Sequence, residues 1–546
     1  MAIPTRVNEE SVRDYLNWGL WDKTSLSEHW DRNASLNPEG AAVSDGHRSL
    51  SWSECKLWTD RLALAMIHAG LLRDEVLLVQ LPNCAELPLV RLACEKAGIL
   101  SLPVPRTLRH NEIESCLRHA GATALVIPLQ YRGFNYVAMA NELQRELPQL
   151  RHIFVTGKIE RPPGTFSVEE ICRDPWEKKG PCELTSRRFR SDEVSLINAT
   201  TGSSGAPKFA EYTAAARLLY GRSYVEVFGL TEKDVFAALS PAAGGPNIPV
   251  YFAAPQLGAK SVFLEQFEAE AAFKLIENES VSVACLGPAQ LSMMVRHPHC
   301  DKYDLSSVRF WLSVGAPLSS NLAREVEAKL GAMVLNTYGA VDWGGVVFTS
   351  PEDPPEVRYT TVGKPRHGTE VRLVKESGEP AGCGEIGEVQ GRGPPCSSGY
   401  FRDIAATRKA WTTDGWLRLG DLGQWDEKGN LMLLGRKDEM IIRGGQNIQP
   451  SEIESHLLAH PRIRQAAVVG MPDMILGERV CAYVVPQTNQ AVTLADIVLF
   501  LRARKIAAFK FPERLEVVES LPMVSDTKIN KRLLKADVAE KLRREA

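Results

Sequence analysis

The chain has 546 residues, a length that at about 150 residues per domain predicts three or four domains. Its 64 Lys and Arg residues nearly balance 67 Asp and Glu residues, and this net charge of −3 argues against a protein that coats nucleic acid or binds membranes through a basic surface. With 44% hydrophobic and 24% charged residues, the composition is that of a globular protein and excludes disordered, collagen-like and coiled-coil chains.

The eleven cysteines stand at no C-x-x-C spacing, and their number is odd. We therefore expect reduced thiols rather than a zinc site or a disulfide framework. The first residues include acidic side chains and no apolar signal-peptide core, and no apolar run reaches the roughly 18 residues that span a bilayer. The sequence predicts a soluble, cytoplasmic protein without a membrane span.

Short apolar runs alternate with helical patterns from about residue 50 onward. The pattern predicts strands at Val76–Leu81, Ala124–Ile127 and His152–Val155, and helices at Glu86–Ala97 and Tyr136–Leu147. This alternation is typical of βαβ units, so we predict an α/β fold with mainly parallel sheets.

The character of the sequence changes near residue 435. Before it lies a Gly-rich stretch of β type, and after it we predict helices at 450–458 and 494–504, strands at 466–469, 480–485 and 515–518, and a closing helix. We therefore divide the chain into a core (1–435), a hinge (436–439) and a small α+β domain (440–546).

The segment from Thr200 to Lys208, TTGSSGAPK, follows an apolar run and carries the sharpest local signal. Glycines let the backbone approach phosphate oxygens, while hydroxyls and a lysine add donors and positive charge. The spacing differs from G-x-x-x-x-G-K-[ST], so it does not predict a P-loop. A flexible Ser/Gly turn is the alternative for this segment in isolation.

Further segments match, in order, a set of known motifs: 313–318 (SVGAPL), 336–342 (NTYGAVD), 417–422 (LRLGDL), 435–436 with 443–448 (RGGQNI) and 452–454, and Leu521-Pro522 followed by Lys528 and Lys531. Together with Thr201 to Lys208, which resembles the phosphate loop [ST]-G-[ST]-[ST]-G-x-P-K, they resemble the adenylate-forming superfamily. The chain is most similar to its branch of dihydroxybenzoate–AMP ligases and of benzoate or cyclohexane- and cyclohexenecarboxylate CoA ligases.

The resemblance implies a large N-terminal domain of stacked α/β sheets with a β-barrel-like subdomain, followed by a small mobile C-terminal domain. It also implies a two-step reaction, in which a carboxylate attacks the α-phosphorus of ATP and the acyl-AMP then reacts with a thiol. Catalysis of the first step is mostly positioning and charge neutralisation. ATP, Mg²⁺ and coenzyme A are the implied cofactors.

The resemblance assigns roles residue by residue. Lys528 would bridge the α-phosphate and the carboxylate, Asp342 would hold Mg²⁺, and Thr201 would act in catalysis. Asp421 and Arg436 would bind the ribose, and Tyr338 would stack on adenine. The residues expected to bind ATP or AMP are Thr200, Thr201, Gly202, Ser203, Ser204, Gly205, Lys208, Gly315, Ala316, Pro317, Asn336, Thr337, Tyr338, Gly339, Asp421, Arg436 and Lys528.

Three further groups follow from the same resemblance. Arg443, Gly444 and Gly445 would form the loop that meets the pantetheine arm of CoA, and Glu439 would be the hinge. The residues expected to line the acyl pocket are Ala243, Gly244, Gly245, Pro246, Asn247, Val314, Gly315, Gly339 and Val341.

Several positions depart from the family pattern. Asp342 replaces Glu, Ala214 stands where many members carry His, and Glu439 replaces Asp or Lys. Gly244 and Gly245 stand where dihydroxybenzoate enzymes carry an aromatic residue and Asn. A pocket without a polar partner discriminates weakly for a ring hydroxyl, so these glycines favour an apolar cyclic or aromatic acid such as benzoate or cyclohexenecarboxylate.

Alternatives remain open at this stage. In our first interpretation the thiol is CoA, and the sequence leaves open whether the reaction runs forward or in reverse to make ATP. In the second, the thiol belongs to a carrier protein that is loaded with dihydroxybenzoate or salicylate. A third interpretation is a non-catalytic relative that binds nucleotide. We expect no nucleic-acid partner and a monomer or homodimer.

The role of Lys528 leads to a first prediction. Lys528→Ala is expected to abolish adenylation, because repulsion between the two anions is then no longer offset, and to spare thioester formation from supplied acyl-AMP. Pyrophosphate exchange and acyl-AMP consumption measure the two steps separately, and equal loss in both would contradict the assignment.

Overall fold

The computed structural model describes residues 4–157, 162–179, 183–200, 208–242, 245–366, 368–444, 446–488, 490–504, 506–525 and 528–545. Its strands are, in chain order, β1 (Ala41–Ser44), β2 (Ser49–Ser51), β3 (Val76–Val79), β4 (Leu100–Pro103), β5 (Ala124–Pro128), β6 (Gln130–Tyr131), β7 (Phe134–Asn135), β8 (His152–Thr156), β9 (Phe166–Ser167), β10 (Val194–Ala199), β11 (Phe209–Thr213), β12 (Val235–Ala238), β13 (Lys260–Phe263), β14 (Val283–Leu286), β15 (Phe310–Ser313), β16 (Met333–Tyr338), β17 (Val347–Phe348), β18 (Lys364–Pro365), β19 (Glu370–Val374), β20 (Ile386–Arg392), β21 (Leu417–Trp425), β22 (Leu431–Arg436), β23 (Ile441–Arg443), β24 (Gln446–Ile448), β25 (Ile463–Asp473), β26 (Gly477–Pro486), β27 (Arg514–Val517), β28 (Met523–Ser525) and β29 (Lys528–Ile529).

The helices of the described residues are α1 (Glu9–Asn17), α2 (Leu26–Leu36), α3 (Trp52–His68), α4 (Glu86–Ala97), α5 (His110–Ala120), α6 (Tyr136–Glu146), α7 (Val168–Arg173), α8 (Glu183–Arg187), α9 (Ala214–Phe228), α10 (Ala254–Leu257), α11 (Ala269–Glu279), α12 (Pro288–Val295), α13 (Ser320–Leu330), α14 (Pro355–Thr360), α15 (Ile404–Ala410), α16 (Pro450–Leu458), α17 (Leu494–Ala503) and α18 (Lys531–Glu545). A π-helical turn at Pro249–Ala253 leads directly into α10.

Two large sheets form most of the N-terminal part. One has the strand order β18-β17-β16-β15-β14-β12-β13-β1-β2, and the other has the order β11-β10-β4-β3-β5-β8-β9. Their inner strands are parallel, as the alternating sequence predicts, whereas β2, β11, β17 and β18 pair antiparallel at the edges. The mixed α/β fold with a large and a small domain confirms the predicted fold class.

Helix α9 lies in the interior and connects the two sheets. It begins where the Thr213 hydroxyl accepts a hydrogen bond from the N–H of Ala216, and it ends at Gly229, whose φ of +55° suits a residue without a Cβ. Most of its residues are buried on all sides, as expected for a helix in the core of a large protein. The largest buried cluster contains residues of α9 and of both sheets, including Leu77 and Phe236.

Smaller sheets complete the fold. Strands β19 to β22 form a four-stranded antiparallel sheet, where the β-barrel-like subdomain is expected. Beyond residue 440, β24-β23-β26-β25 form a sheet to which β27 adds parallel to β26. Two apolar clusters there consist only of residues after Met440, so this part has cores of its own. The Ser451 hydroxyl donates to the carbonyl of Leu434, 2.6 Å away, across the junction.

The cysteines within the described ranges are unpaired. Among the helices that the structure describes, none has the length and hydropathy needed to cross a bilayer.

Lys96 on α4 is a buried cation that holds the N-terminal helices together. Its side chain is 1% exposed, and its Nζ lies 2.6 Å from carboxylate oxygens of both Asp31 and Asp60. Despite burial, which acts in the opposite direction, the charge of Lys96 lowers the pKa of Asp31. Asp31 also pairs with Arg188 and Asp60 with Lys56, so Lys96 is the buried centre of an ion-pair network that joins α2, α3 and α4.

We predict that Lys96→Met lowers the free energy of unfolding by about 1.5–3 kcal/mol, because Asp31 and Asp60 each lose a charge-assisted hydrogen bond to a buried cation and keep only Arg188 and Lys56 as partners. Lys56→Met is the matched control, since Lys56 contacts the same Asp60 but is 40% exposed, and it should cost less than about 1 kcal/mol. Urea unfolding measures both variants, and equal losses would contradict the prediction.

Candidate active site

The loops that follow parallel strands β12, β15 and β16 lie along one edge of the nine-stranded sheet. Residues Ser313 and Asn336 are register partners on β15 and β16, so the segments that follow them begin side by side. Carboxyl ends of parallel strands are where α/β sheets bind ligands. Sheet topology alone places two of the sequence motifs, 313–318 and 336–342, at this edge, together with residues 239–242 that follow β12.

The phosphate-loop motif is closed by a hairpin of β10 and β11. Ala199 pairs with Phe209, and the Thr200 N–H donates to the Lys208 carbonyl over 2.8 Å. Residues Thr201, Gly202, Ser203, Ser204 and Gly205 lie outside the described residues, so their assignment stays a prediction. The hairpin nevertheless fixes where the loop begins and ends.

Tyr400 connects this hairpin to Asp342. Its hydroxyl donates to Asp342 Oδ2 over 2.7 Å, and the Nζ of Lys208 lies 5.0 Å from its ring centroid. The N–H of Phe401 donates to the carbonyl of Phe209, which ties the segment to β11. Burial, reinforced by the charge of Asp342, raises the pKa of Tyr400, so the phenol stays protonated as a donor.

Asp421, Arg436 and Tyr338 come together from three separate segments. Asp421 and Arg436 are cross-strand partners on β21 and β22, and Arg436 Nη1 donates to Asp421 Oδ1 over 3.1 Å. The Tyr338 hydroxyl donates to Asp421 Oδ2 over 2.6 Å. Burial together with the charge of Asp421 raises the pKa of Tyr338 well above its ordinary value. The sequence predicts that all three contact the nucleoside, and the structure brings them together.

Other predicted nucleotide contacts are placed differently. The Asn336 amide is buried and donates to the carbonyls of Arg358 and Thr361, so its N–H groups anchor α14. Thr337 is also buried. Gly315, Ala316 and Pro317 form an exposed turn after β15, where Gly315 has a φ of +89°.

The predicted acyl pocket is described in part, since Ala243 and Gly244 lie outside the described residues. Gly245 and Pro246 are partly buried, and the fully buried Asn247 donates to the carbonyls of Ser240 and Pro241, which closes the loop. The π-helical turn that follows presents Tyr251 and Phe252, and such turns are frequent at functional sites.

The loops after β15 and β16 contain the other predicted pocket residues, Val314, Gly339 and Val341. Val314 is buried after β15, and a Cβ on Gly339 would lie 3.6 Å from the Tyr220 hydroxyl. The carbonyl of Val341 accepts a hydrogen bond of 2.7 Å from the hydroxyl of Tyr212 on β11. Sequence reasoning identified neither Tyr212 nor Tyr400; the G-Y pair at 399–400 is too common a pattern to indicate a role by itself.

In the small domain, Lys528 begins β29 and pairs with Ser525, while its side chain lies outside what the structure describes. Arg443 makes a bidentate pair with Glu513, and the Gly444 N–H donates to the Leu476 carbonyl; Gly445 is outside the described residues. These contacts leave the predicted roles of the loop and of Lys528 as predictions.

Glu439, at the predicted hinge, forms an ion pair with Lys531. Lys531 Nζ lies 2.7 Å from Glu439 and 2.9 Å from Glu454 of α16. Although burial acts against it, the charges of Glu454 and Glu439 raise the pKa of Lys531. The hinge residue is thereby tied to both α16 and α18.

Asp342 fits the expected magnesium ligand. Oδ2 accepts from Tyr400, while Oδ1 has no hydrogen-bond partner in the described ranges. A carboxylate oxygen is the hard ligand that Mg²⁺ prefers, with phosphates and water completing its shell. The only cluster of three potential metal-ligating side chains within the described residues is His110, Glu114 and Glu146, on α5 and α6.

Comparisons with known proteins identify the family of the chain and proteins with the same fold. The sequence profile of AMP-binding enzymes matches residues 30–401, and that of the AMP-binding enzyme C-terminal domain matches residues 452–528. The apo structure of MbtA from Mycobacterium smegmatis has a TM-score of 0.73 and 29% identity, covering 98% of each chain. A crystal structure of the anthranilate CoA ligase AuaEII has a TM-score of 0.85 at 23% identity, covering 95% of this chain and 98% of its own.

Curated relatives span nearly the whole chain. The 2-hydroxy-7-methoxy-5-methyl-1-naphthoate–CoA ligase of Streptomyces carzinostaticus is 33% identical over 96% of this chain and 94% of its own length. The medium-chain fatty-acid–CoA ligase of Escherichia coli K12 is 32% identical, covering 99% and 95%. The 2,3-dihydroxybenzoate-AMP ligase of Bacillus subtilis 168 is 30% identical, covering 98% and 97%.

The bond between Tyr400 and Asp342 leads to a prediction. Tyr400→Phe should lower kcat/KM for adenylation about 10-fold and raise the Mg²⁺ concentration needed for half-maximal rate, because Asp342 loses the donor that orients it. A Mg²⁺ titration of pyrophosphate exchange tests this.

The control is Tyr303→Phe, which removes a similar phenol–carboxylate bond, to Glu270, from the protein surface. It should leave the titration unchanged. An unaltered Mg²⁺ dependence in Tyr400→Phe would mean that Tyr400 does not orient Asp342.

Proposed function

The chain belongs to the AMP-binding enzyme family, within the adenylate-forming superfamily, and on this premise we propose that it is an AMP-forming acid–CoA ligase for a small cyclic or aromatic carboxylic acid. Membership confirms the resemblance drawn from the sequence motifs. The protein is an adenylate-forming acid ligase whose substrates are a carboxylate and ATP; the identity of the acid and of the thiol belongs to our proposal.

The reaction has two balanced steps. A carboxylate oxygen attacks the α-phosphorus of ATP, the bond to the β-phosphate oxygen breaks, and pyrophosphate leaves. The thiol of CoA then loses its proton and attacks the acyl carbon, and the bond to AMP breaks. The products are acyl-CoA, AMP and pyrophosphate.

One observation carries the proposal: the Tyr338–Asp421–Arg436 cluster and the Lys208–Tyr400–Asp342 cluster are joined through a single segment, 338–342. The first offers a carboxylate and a guanidinium to the ribose hydroxyls. The second directs a cation and a carboxylate toward the phosphate loop. ATP bound between them would have its sugar and its phosphates held by different clusters, which is the positioning that the first step requires.

The residues of the second cluster would supply a positive charge for the phosphates and a carboxylate for Mg²⁺. Lys208 would offset phosphate charge, and Tyr400 would hold Asp342 in position. When bound at Asp342, Mg²⁺ would neutralise part of the charge of the phosphates. Lys528 would supply a further cation at the α-phosphate for the first step only.

The two most similar relatives described above support CoA as the thiol, since both are named as CoA ligases. ATP and CoA are abundant in the cytoplasm, where we expect this enzyme to act. The exposed glycine of the Arg443-Gly444 turn, whose φ is +55°, permits close approach of a narrow pantetheine arm.

The second candidate is an aryl acid–AMP ligase that loads a carrier protein, as the names of the Bacillus subtilis relative and of the salicyl-AMP ligase of Mycobacterium tuberculosis suggest for those proteins. One feature favours it. Met474 and Ile475 are almost fully exposed beside the loop at Gly444, and an apolar surface there suits a protein partner.

We predict acid-dependent exchange of labelled pyrophosphate into ATP, and thioester formation with free CoA at a rate at least about 10-fold above that with a phosphopantetheinylated aryl carrier protein. Mass spectrometry of the two thioesters measures the preference. The matched variant Met474→Ser should weaken reaction with the carrier only.

Three outcomes are distinguishable. A preference for the carrier would favour the second candidate. Absence of exchange with a broad panel of acids would remove the ligase proposal and leave the nucleotide-binding interpretation. Preference for hydroxylated benzoates would contradict the prediction drawn from Gly244 and Gly245.

A further inference from the structure

Arg217, on helix α9, is a buried cation that has no counter-ion in the part of the chain that the structure describes. Its side chain is 2% exposed, and Nε and Nη2 have no hydrogen-bond partner among the described residues. The guanidinium instead lies 3.4 Å from the ring centroid of Tyr212. A cation–π contact compensates only part of the cost of removing a guanidinium from water.

The other fully buried cations of the described chain are compensated. Lys96 has Asp31 and Asp60, and Arg358 has Glu327. Arg217 alone among these buried Lys and Arg side chains forms no ion pair within the described ranges. The adjoining undescribed stretches, 201–207 and 243–244, contain no Asp or Glu, so they cannot supply the missing carboxylate.

A second guanidinium, that of Arg91 on α4, lies at the same place. It stacks 4.6 Å from Tyr251 and 5.5 Å from Phe252, and no ion pair of Arg91 occurs among the described residues. Burial lowers its pKa, Tyr251 acts in the opposite direction, and the positive charge of Arg217 lowers it further. The charge of Glu95 also acts to raise the pKa of Arg91, but the Glu95 carboxylate accepts its hydrogen bond from the N–H of Ser27.

Both arginines line one cavity. Its walls also include Asn198, Ala242, Tyr251 and Phe252, and the side-chain oxygen of Asn198 is buried and has no hydrogen-bond partner among the residues described. The enclosed space is about 10 Å³, room for roughly one water molecule. The two guanidinium charges around so small a space make it electropositive, and the Asn198 oxygen, which carries only a partial negative charge, offsets part of this potential.

The cavity adjoins the predicted acyl pocket. Ala242 immediately precedes the undescribed Ala243 and Gly244, and Asn198 lies on β10, two residues before Thr200. Tyr212, on which Arg217 stacks, donates to the carbonyl of Val341, another residue of the predicted acyl pocket. The arginines therefore belong to the region that would enclose the acyl group, on the side of α4 and α9.

We propose that the acid carries a second anionic group, such as a second carboxylate, which binds between Arg91 and Arg217 while the first carboxylate is adenylated. This inference rests on the proposed function and narrows its substrate class. Guanidinium groups bind carboxylates through paired N–H donors, and an anion held by two of them would satisfy the Arg217 nitrogens that have no partner within the described ranges. Gly244 and Gly245 alone favour an acid with an unsubstituted ring. With this anion site, we expect instead an acid whose ring, or short chain, bears a second negative charge.

The small size of the cavity means that the protein must rearrange when a carboxylate binds there. A carboxylate is larger than a water molecule, so the two guanidinium groups must separate when it binds. Side-chain rearrangements of this kind are common on ligand binding, and the flat arginine side chains can slide along the faces of Tyr212 and Tyr251. An uncharged group would meet the same two cations without neutralising them, and it is therefore rejected.

The test compares acids of matched size in pyrophosphate exchange. The 1,2-, 1,3- and 1,4-dicarboxylates of benzene and cyclohexane are assayed beside their mono-amides, which keep the shape and lose the charge, and beside benzoate. Linear dicarboxylates of four to seven carbons form a second series. We expect at least one dicarboxylate to exceed its mono-amide about 100-fold in kcat/KM, mostly through KM.

Substitutions of single arginines test whether the preference for dicarboxylates arises at this cavity. Arg217→Met and Arg91→Met should each remove most of this preference, and the mono-amide should gain relative to the dicarboxylate. Arg222→Met, on the same helix but bound to the carbonyls of Gly19 and Leu20 at the surface, should keep the wild-type preference. Arg91 is only partly buried, so its variant keeps the test informative if Arg217→Met does not fold.

Binding without ATP gives an independent measurement. The preferred dicarboxylate should raise the unfolding temperature of the wild type and not that of the Arg91 and Arg217 variants, since a ligand stabilises only a protein that binds it. Stabilisation without any pyrophosphate exchange would support the anion site and refute the proposed ligase activity.

Two results would overturn the inference and leave the proposed function intact. One is equal use of monoacids, mono-amides and dicarboxylates by the wild type. The other is an equal loss of kcat with monoacids and dicarboxylates in the Arg217 variant, which would indicate that the guanidinium supports the reacting carboxylate or the fold.

Discussion

An adenylate-forming acid ligase must press a carboxylate against the phosphates of ATP, and the repulsion between these anions is the constraint on which the site depends. Two unit charges 4 Å apart repel by about 4 kcal/mol at an effective dielectric constant of about 20. Cations must therefore surround the meeting point without already being neutralised by the protein. Lys208, which lies over the ring of Tyr400, satisfies this condition. Arg436, by contrast, already forms an ion pair with Asp421.

The fold meets this constraint by bringing separate layers together. The nine-stranded sheet supplies the loops after β12, β15 and β16, the seven-stranded sheet supplies the β10–β11 hairpin, and the four-stranded sheet supplies Asp421 and Arg436. Tyrosines connect these layers: Tyr338 bonds to Asp421, Tyr212 to the backbone at Val341, and Tyr400 to Asp342. A long, stiff side chain with a polar end suits this role, because its ring is buried while its hydroxyl reaches the next layer.

Much of the architecture could be predicted from the sequence. The helix Glu86–Ala97 has the predicted bounds, because Gly98, with a φ of +70°, ends it. The helix Pro450–Leu458 also has the predicted bounds. Strands in the small domain extend beyond the predicted ones, β25 from Ile463 to Asp473, because a two-stranded pairing continues past the apolar residues that reveal a strand. Asn336 shows the limit for the site: its motif suggests a nucleotide contact, but its amide N–H groups anchor α14.

The sequence by itself determined the family, the α/β class and the order of motifs, because these depend on residue types at fixed spacing along the chain. Only the tertiary structure decided which charges have partners. Lys96, Arg217 and Arg358 are ordinary basic residues in the sequence, yet the fold places carboxylates beside two of them and aromatic rings beside Arg217. The reason is that compensation of a buried charge depends on groups distant in sequence, and local periodicity carries no information about them.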